Sequence, residues 1–273
     1  MTTPARPPRP VHTATVVRTE TVARDMVRVI LTGEGLRALP ELTFTDSYVK
    51  LRFGDVTRTY TIRRFDREAN EMAIDFVIHG DEGLAGPWAA RARPGDEITF
   101  MGPSGAWAPA ADADAHLLVG DEAAIPAIAA ALETLPADAR ASVFIEVASA
   151  EHHQPLRLTS RTEITWVHRD EHGLRYGEAL TRAVIAAGVP EGVLEAFVHG
   201  SADMVKPMRR FLFFDAGLDR SRVSISGYWR TGLNEDGWQS SKHEFNAAME
   251  AESSGVDQTT PAAASGTQGG ERQ

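Results

Sequence analysis

The chain has 273 residues, 42% of them hydrophobic, a formal net charge of −10 and no cysteine. That length suits one large domain or two of ordinary size, and the missing cysteine excludes disulfides, thiolate metal sites and iron–sulfur clusters. The acidic balance argues against a nucleic-acid binder, and no apolar run approaches the ~18 residues that cross a bilayer. The opening stretch Met1 to Pro10 is rich in Pro and Arg and lacks the apolar middle of a signal peptide, so a cytoplasmic protein with a disordered arm over residues 1–11 is expected.

From Thr13 to about Ala111 the sequence runs in short alternating segments parted by Gly, Pro, Asp and Asn. Thr15 to Arg18, Met26 to Leu31, Ser47 to Phe53 and Met72 to Gly80 are examples, and six or so strands at this spacing predict a small antiparallel barrel over residues 12–112. One strand carries Arg58-Thr59-Tyr60-Thr61-Ile62-Arg63-Arg64. Arg58 can fork onto a diphosphate, Tyr60 lies two residues on and shares its strand face, and Thr61 adds a hydroxyl. That set suits a flavin dinucleotide. The next strand ends in His79-Gly80 and leads to Gly86-Pro87-Trp88, where a glycine-rich loop opens a short helix with proline at its first position. A structural histidine at a strand end and an ordinary turn remain the alternatives.

After Asp112-Ala113-Asp114-Ala115 the pattern changes to strands alternating with helices, which predicts a doubly wound parallel sheet over residues 113–250. His116 to Gly120, Ala141 to Val147, Glu163 to Val167, Glu195 to Gly200 and Arg222 to Ser226 read as its strands, with helices from Ala124 to Leu135, from Gly177, and from Ala202 to Asp215. The composition beyond residue 250 is Ser-, Gly- and Thr-rich and is expected to be a disordered tail over 251–273. The predicted fold class is therefore β plus α/β, a six-stranded flavin-binding barrel followed by a nicotinamide-binding-like sheet domain. No Gly-x-Gly-x-x-Gly fingerprint follows the first sheet strand. Gly120-Asp121-Glu122-Ala123-Ala124 stands there instead, with Asp121 read either as a ribose or adenine contact or as a helix N-cap.

In order and spacing these blocks, with Val119 to Ile128 and Ser226-Gly227-Tyr228-Trp229-Arg230, resemble the siderophore-interacting proteins, flavin-dependent ferric-siderophore reductases of the ferredoxin reductase superfamily. The resemblance implies FAD held by Arg58, Tyr60, Thr61, Ile62, His79, Gly80, Gly86, Pro87, Trp88, Asp121 and Ala124. It implies a nicotinamide near Gly120, Gly200, Ser201, Tyr228 and Trp229, with electrons passing from NAD(P)H through the flavin to Fe(III). Hard oxygen chelators hold Fe(III) far better than Fe(II), so one electron releases the metal. Lys50, Arg64, Arg230 and Lys242 are the candidate contacts to an anionic ferric siderophore. Glu151 near the end of the second sheet strand tilts the donor toward NADH over NADPH. His152-His153 reads as an exposed turn rather than a metal pair, and no residue is assigned a general acid–base role or a metal-ligand role. A ferredoxin-like electron donor and a non-enzymatic siderophore binder are the alternative functions, and a monomer is expected.

Overall fold

The computed structural model describes residues 10–78 and 83–256. The chain divides into two compact units, Met1–Thr231 and Gly232–Gln273. Within the first, six antiparallel strands close into a barrel in the order β1-β2-β5-β4-β3-β6. The strands are β1 (Val11–Ala23), β2 (Met26–Thr32), β3 (Tyr48–Phe53), β4 (Val56–Asp66), β5 (Glu71–Val77) and β6 (Glu97–Ser104). Two short helices punctuate them, α1 (Glu34–Arg37) and α2 (Ala85–Arg91). Alternation dictates the interior. Val29, Leu31, Val49, Leu51, Met72, Ile74, Phe76 and Phe100 are wholly buried in one apolar cluster, while their sequence neighbours face outward. Each such side chain contributes roughly 1.5–3 kcal/mol of burial.

The five strands that follow are all parallel, in the order β11-β10-β7-β8-β9. They are β7 (Ala115–Asp121), β8 (Arg140–Val147), β9 (Arg161–His168), β10 (Leu194–Ser201) and β11 (Val223–Trp229). The helices are α3 (Ile125–Thr134), α4 (Arg169–His172), α5 (Glu178–Ala187) and α6 (Ala202–Arg210). From β7 the chain winds outward through β8 and β9, then crosses back to β10 and β11 on the other side. The direction of winding thus reverses between β7 and β10, which places the ligand crevice of such a sheet at the carboxyl ends of those two strands. β7 and β10 are buried along their whole length. Leu118, Ile125, Ile128 and Leu132 form one core on the α3 face, and Leu117, Val119, Leu180, Val198 and Met208 form another on the opposite face.

Barrel and sheet belong to the same unit and are tied by a forked ion pair from Arg63 on β4 to Glu133 on α3, at 2.5 and 3.1 Å. The second unit holds α7 (Glu235–Val256), in which the Trp238 and Phe245 rings meet edge-on. This helix runs past residue 250, where composition alone marks the start of a tail. Among the described residues no helix is long and apolar enough to cross a membrane.

Candidate functional site

The Arg-x-Tyr-Thr segment lies in the middle of β4. Arg58 and Tyr60 stand opposite Leu51 and Val49 of β3 and so share the strand face that turns toward the barrel core. Both remain half-buried. The Tyr60 ring packs 4.4 Å from Phe76, and Phe76 lies 5.6 Å from Trp88 of α2. Arg58 donates through Nη1 to the Thr57 carbonyl at 2.9 Å. Ile62 is 3% exposed and its N–H donates to the Ser47 carbonyl. Its side chain packs in the barrel core. On the outward face, Lys50 donates to the Thr59 hydroxyl at 3.3 Å.

α2 begins at Ala85, so Pro87 is its third residue and not its first. The helix tolerates it because the first N–H groups have no intrahelical partner to lose, and the first regular bond runs from Trp88 N–H to the Leu84 carbonyl at 3.1 Å. Trp88 points into the barrel cluster beside Phe53 and Phe76. That ring anchors α2 to the barrel. Gly86 lies tight against β5, where a Cβ would stand 3.1 Å from the Val77 carbonyl oxygen. His79 and Gly80 lie outside the described residues.

The carboxyl edge of the sheet is organised around Asp121. Its carboxylate is 2% exposed and accepts from Ser201 N–H at 2.7 Å, Trp229 Nε1–H at 2.8 Å and Ala123 N–H at 3.0 Å. The ends of β7, β10 and β11 are thereby joined at the crevice. Asp121 is not the cap of α3, which starts after Ala124 with no side-chain cap. Burial, helped by the neighbouring Glu122, pushes its pKa up to about 7 against the pull of its three donors. Gly200 makes room for it: φ is +140° and a Cβ would come within 2.7 Å of the carboxyl group. Gly120 is fixed by packing rather than by a ligand, since a Cβ there would stand 2.4 Å from Ala124 Cβ and 2.8 Å from the His199 carbonyl oxygen. Ala124, assigned from sequence to FAD, is fully buried against that strand. Ser201 caps α6 by accepting from Asp203 N–H at 3.3 Å.

Barrel and sheet meet at Tyr228. Its side chain hydrogen-bonds that of Thr61, and burial first, then Asp46 and Asp121, raises its phenol far above the ordinary range, so it stays protonated. His199 lies edge-on to it at 5.0 Å and pairs through Nε2 with the Ser224 hydroxyl at 2.8 Å. The Trp229 ring meets Tyr176 edge-on at 4.9 Å, and Tyr176 in turn carries the Arg169 guanidinium at 4.3 Å.

Arg169 opens a cluster that the sequence pattern left unread. It forks onto Glu122 at 2.6 and 3.0 Å and approaches Glu146 at 3.5 Å. Glu146 is fully buried and also accepts from Gly177 N–H at 3.0 Å and Leu180 N–H at 3.3 Å. The available signal was a glutamate inside the apolar run Ala141 to Val147.

Of the candidate chelate cations, Arg64 is exposed beside Asp66 at 3.4 Å and Arg230 lies 3.6 Å from Asp203. Lys242 belongs to the C-terminal unit, over the Trp238 ring. Glu151 forms an ion pair with Arg24 of the barrel, which weakens the sequence argument for NADH because a cation now stands beside that acid. Among the described residues no group of three or more His, Asp or Glu is placed to hold a metal ion.

A closed six-stranded barrel joined to a five-stranded parallel sheet is the fold also seen in ferredoxin reductases of known structure, such as that of Plasmodium falciparum, with a TM-score of 0.67 at 12% identity over 80% of this chain and 96% of that one. The chain belongs to the siderophore-interacting protein family: residues 54–107 match the siderophore-interacting FAD-binding domain, and residues 113–232 match the siderophore-interacting protein domain. It is 32% identical to the ferric vibriobactin reductase ViuB of Vibrio cholerae, over 83% of this chain and 92% of that protein. It is 30% identical to the NADPH-dependent ferric-chelate reductase of Escherichia coli, over 79% and 91%. The solved siderophore-interacting protein SipS of Aeromonas hydrophila superposes with a TM-score of 0.77 at 30% identity, covering 88% of this chain and 99% of that one.

The residues present fit FAD. A cation, an aromatic ring and a hydroxyl follow one another at Arg58, Tyr60 and Thr61 on one strand, and α2 packs on the same flank through the Tyr60–Phe76–Trp88 stack.

Proposed function

We propose that the protein is an FAD-dependent ferric-siderophore reductase supplied with electrons by NAD(P)H. The observation that carries this reading is the succession of Arg58, Tyr60 and Thr61 on β4, a strand that the forked Arg63–Glu133 ion pair ties to α3 of the sheet. Bound FAD would supply the two-electron to one-electron conversion that Fe(III) reduction needs. Arg58 then binds the diphosphate, Tyr60 supports the ring system, and Thr61 with the protonated Tyr228 closes the junction against water. Lys50, Arg64 and Arg230 offer cations to an anionic chelate within an acidic protein, a local field that the net charge of −10 makes selective. Gly200 and Ser201 border the crevice in which a nicotinamide would lie. The assignment is to a monomer working in the cytoplasm, where reduced nicotinamide is available.

The test is a visible spectrum after incubation with excess FAD and desalting, followed by anaerobic addition of NADH or NADPH and then a ferric chelate. A retained flavin band, bleached by either dinucleotide and restored by the chelate, is the expected result. Retained flavin that neither dinucleotide bleaches but a reduced ferredoxin does would replace the donor. A protein that takes up no FAD would overturn the reading and leave a ferric-siderophore binder.

A further inference from the structure

At the far carboxyl corner of the sheet, two histidines from different elements meet. His153 follows β8 and His168 ends β9, and their Nε2 atoms lie 2.8 Å apart. Both rings are held in place. His153 stacks on Trp166 at 4.3 Å with the planes 18° apart, and His168 pairs through Nδ1 with Glu171 Oε1 at 2.7 Å. A carboxylate can only accept, so His168 carries its proton on Nδ1 and presents a lone pair at Nε2. In the neutral pair His153 then donates its Nε2–H to that lone pair. The neighbouring His152 is turned away: its Nδ1 accepts from Ser149 N–H at 3.2 Å and its Nε2 faces Asp25 at 3.6 Å.

We propose that His153 and His168 form a two-imidazole chelating site for a late first-row divalent cation such as Cu²⁺ or Zn²⁺, with water completing the shell. Two nitrogens bound about 2.0–2.1 Å from one ion stand roughly 2.9–3.4 Å apart at bond angles from square to tetrahedral, so the pair opens by a few tenths of an ångström while the two rings, which face each other end-on with centroids 5.0 Å apart, turn by roughly 35–45° to aim both lone pairs at the ion. The ion takes the place of the shared proton. That proton moves from Nε2 to Nδ1 of His153, so two neutral imidazoles bind the metal with no net proton released. Glu171 then plays the part of the outer carboxylate that orients a metal-bound histidine and raises its basicity. Other charged groups on this corner are Asp25 and Arg24 of the barrel turn, Glu151, which pairs with Arg24, and Arg169 and Asp170 directly after His168, of which Arg169 is paired with Glu122. The site depends on neither the flavin nor the electron donor.

The experiment is titration of the tag-free full chain with Cu²⁺ and separately with Zn²⁺, read by electron paramagnetic resonance and by tryptophan fluorescence. One equivalent of Cu²⁺ with two-nitrogen coordination is expected, with quenching that disappears in Trp166→Phe, because that ring lies against His153. His153→Phe, which keeps the stack but removes the nitrogens, and His168→Ala are expected to weaken binding by more than tenfold. Glu171→Gln is expected to weaken it by about tenfold, and His152→Ala to retain it. Melting curves in the presence of a chelator establish that each variant is folded. No nitrogen-coordinated Cu²⁺ in the wild type, or undiminished binding in folded His153→Phe and His168→Ala, overturns the site.

Discussion

The indole N–H of Trp229 donates to the Asp121 carboxylate over 2.8 Å, joining residues 108 positions apart at the mouth of the sheet crevice. This bond makes the end of β11 dependent on the end of β7, and its strength depends on the charge state of Asp121.

Because burial raises the Asp121 pKa from 3.8 to about 7, its neutral form is favoured by folding. The stability this group contributes is complete below its unfolded value and is lost as pH rises through the folded one, by roughly 4 kcal/mol at most. Asp121→Asn does not titrate, so the difference in unfolding free energy between wild type and variant is expected to shift against the wild type from pH 4 to pH 8. Denaturant unfolding across that range measures it, and a pH-independent difference would rule out titration of Asp121.

Gly200→Ala forces a methyl group to within 2.7 Å of the Asp121 carboxyl group at a φ of +140°. A loss of about 2–4 kcal/mol in unfolding free energy is expected from strain and displaced hydrogen bonds together. Gly217→Ala is the control, since it shares a positive φ but meets nothing within 4 Å. It should cost distinctly less.

Arg169→Met removes the only cation seen against Glu122 and Glu146 among the described contacts. Leaving two buried carboxylates uncompensated costs about 3–5 kcal/mol. The variant's glutamates should then hold their protons to higher pH, so it regains stability relative to wild type as pH falls. Thermal melts at pH 5 and pH 8 read the sign directly.

Arg58→Ala removes a charge-assisted contact to the proposed diphosphate, worth about 1.5–3 kcal/mol or roughly tenfold to a hundredfold in FAD affinity. The barrel should stay folded, since Arg58 is only half-buried and donates to the carbonyl of the adjacent Thr57, a local contact within its own strand. Equilibrium titration with FAD decides it. Unchanged affinity would detach Arg58 from the cofactor.

Much of the architecture was legible because period-2 and period-3.6 patterns are local. Met26 to Leu31 and Ala141 to Val147 predicted β2 and β8 almost to the residue. The Arg58–Thr61 segment was legible as part of a strand for the same reason, and it lies within β4. What stayed hidden depended on distant partners. Nothing near Asp121 in sequence announces Trp229 or Ser201. The packing of Trp88 on Phe76 was hidden because Phe76 sits on another strand. The His153–His168 pair was hidden behind the adjacency of His152 and His153, whose rings diverge. Pro87 was misplaced within α2 by two residues, since helix starts are weakly encoded where no side chain caps them.

The three donors that satisfy Asp121 come from residues 123, 201 and 229. During synthesis β7 therefore leaves the ribosome bearing a carboxylate whose burial cannot be completed until the last sheet strand has followed. A nascent chain ending anywhere between β7 and β11 must keep that edge hydrated and open. The crevice can close only on a chain that has reached Trp229, so the same carboxylate that joins the three strands also reports whether the domain has been made in full.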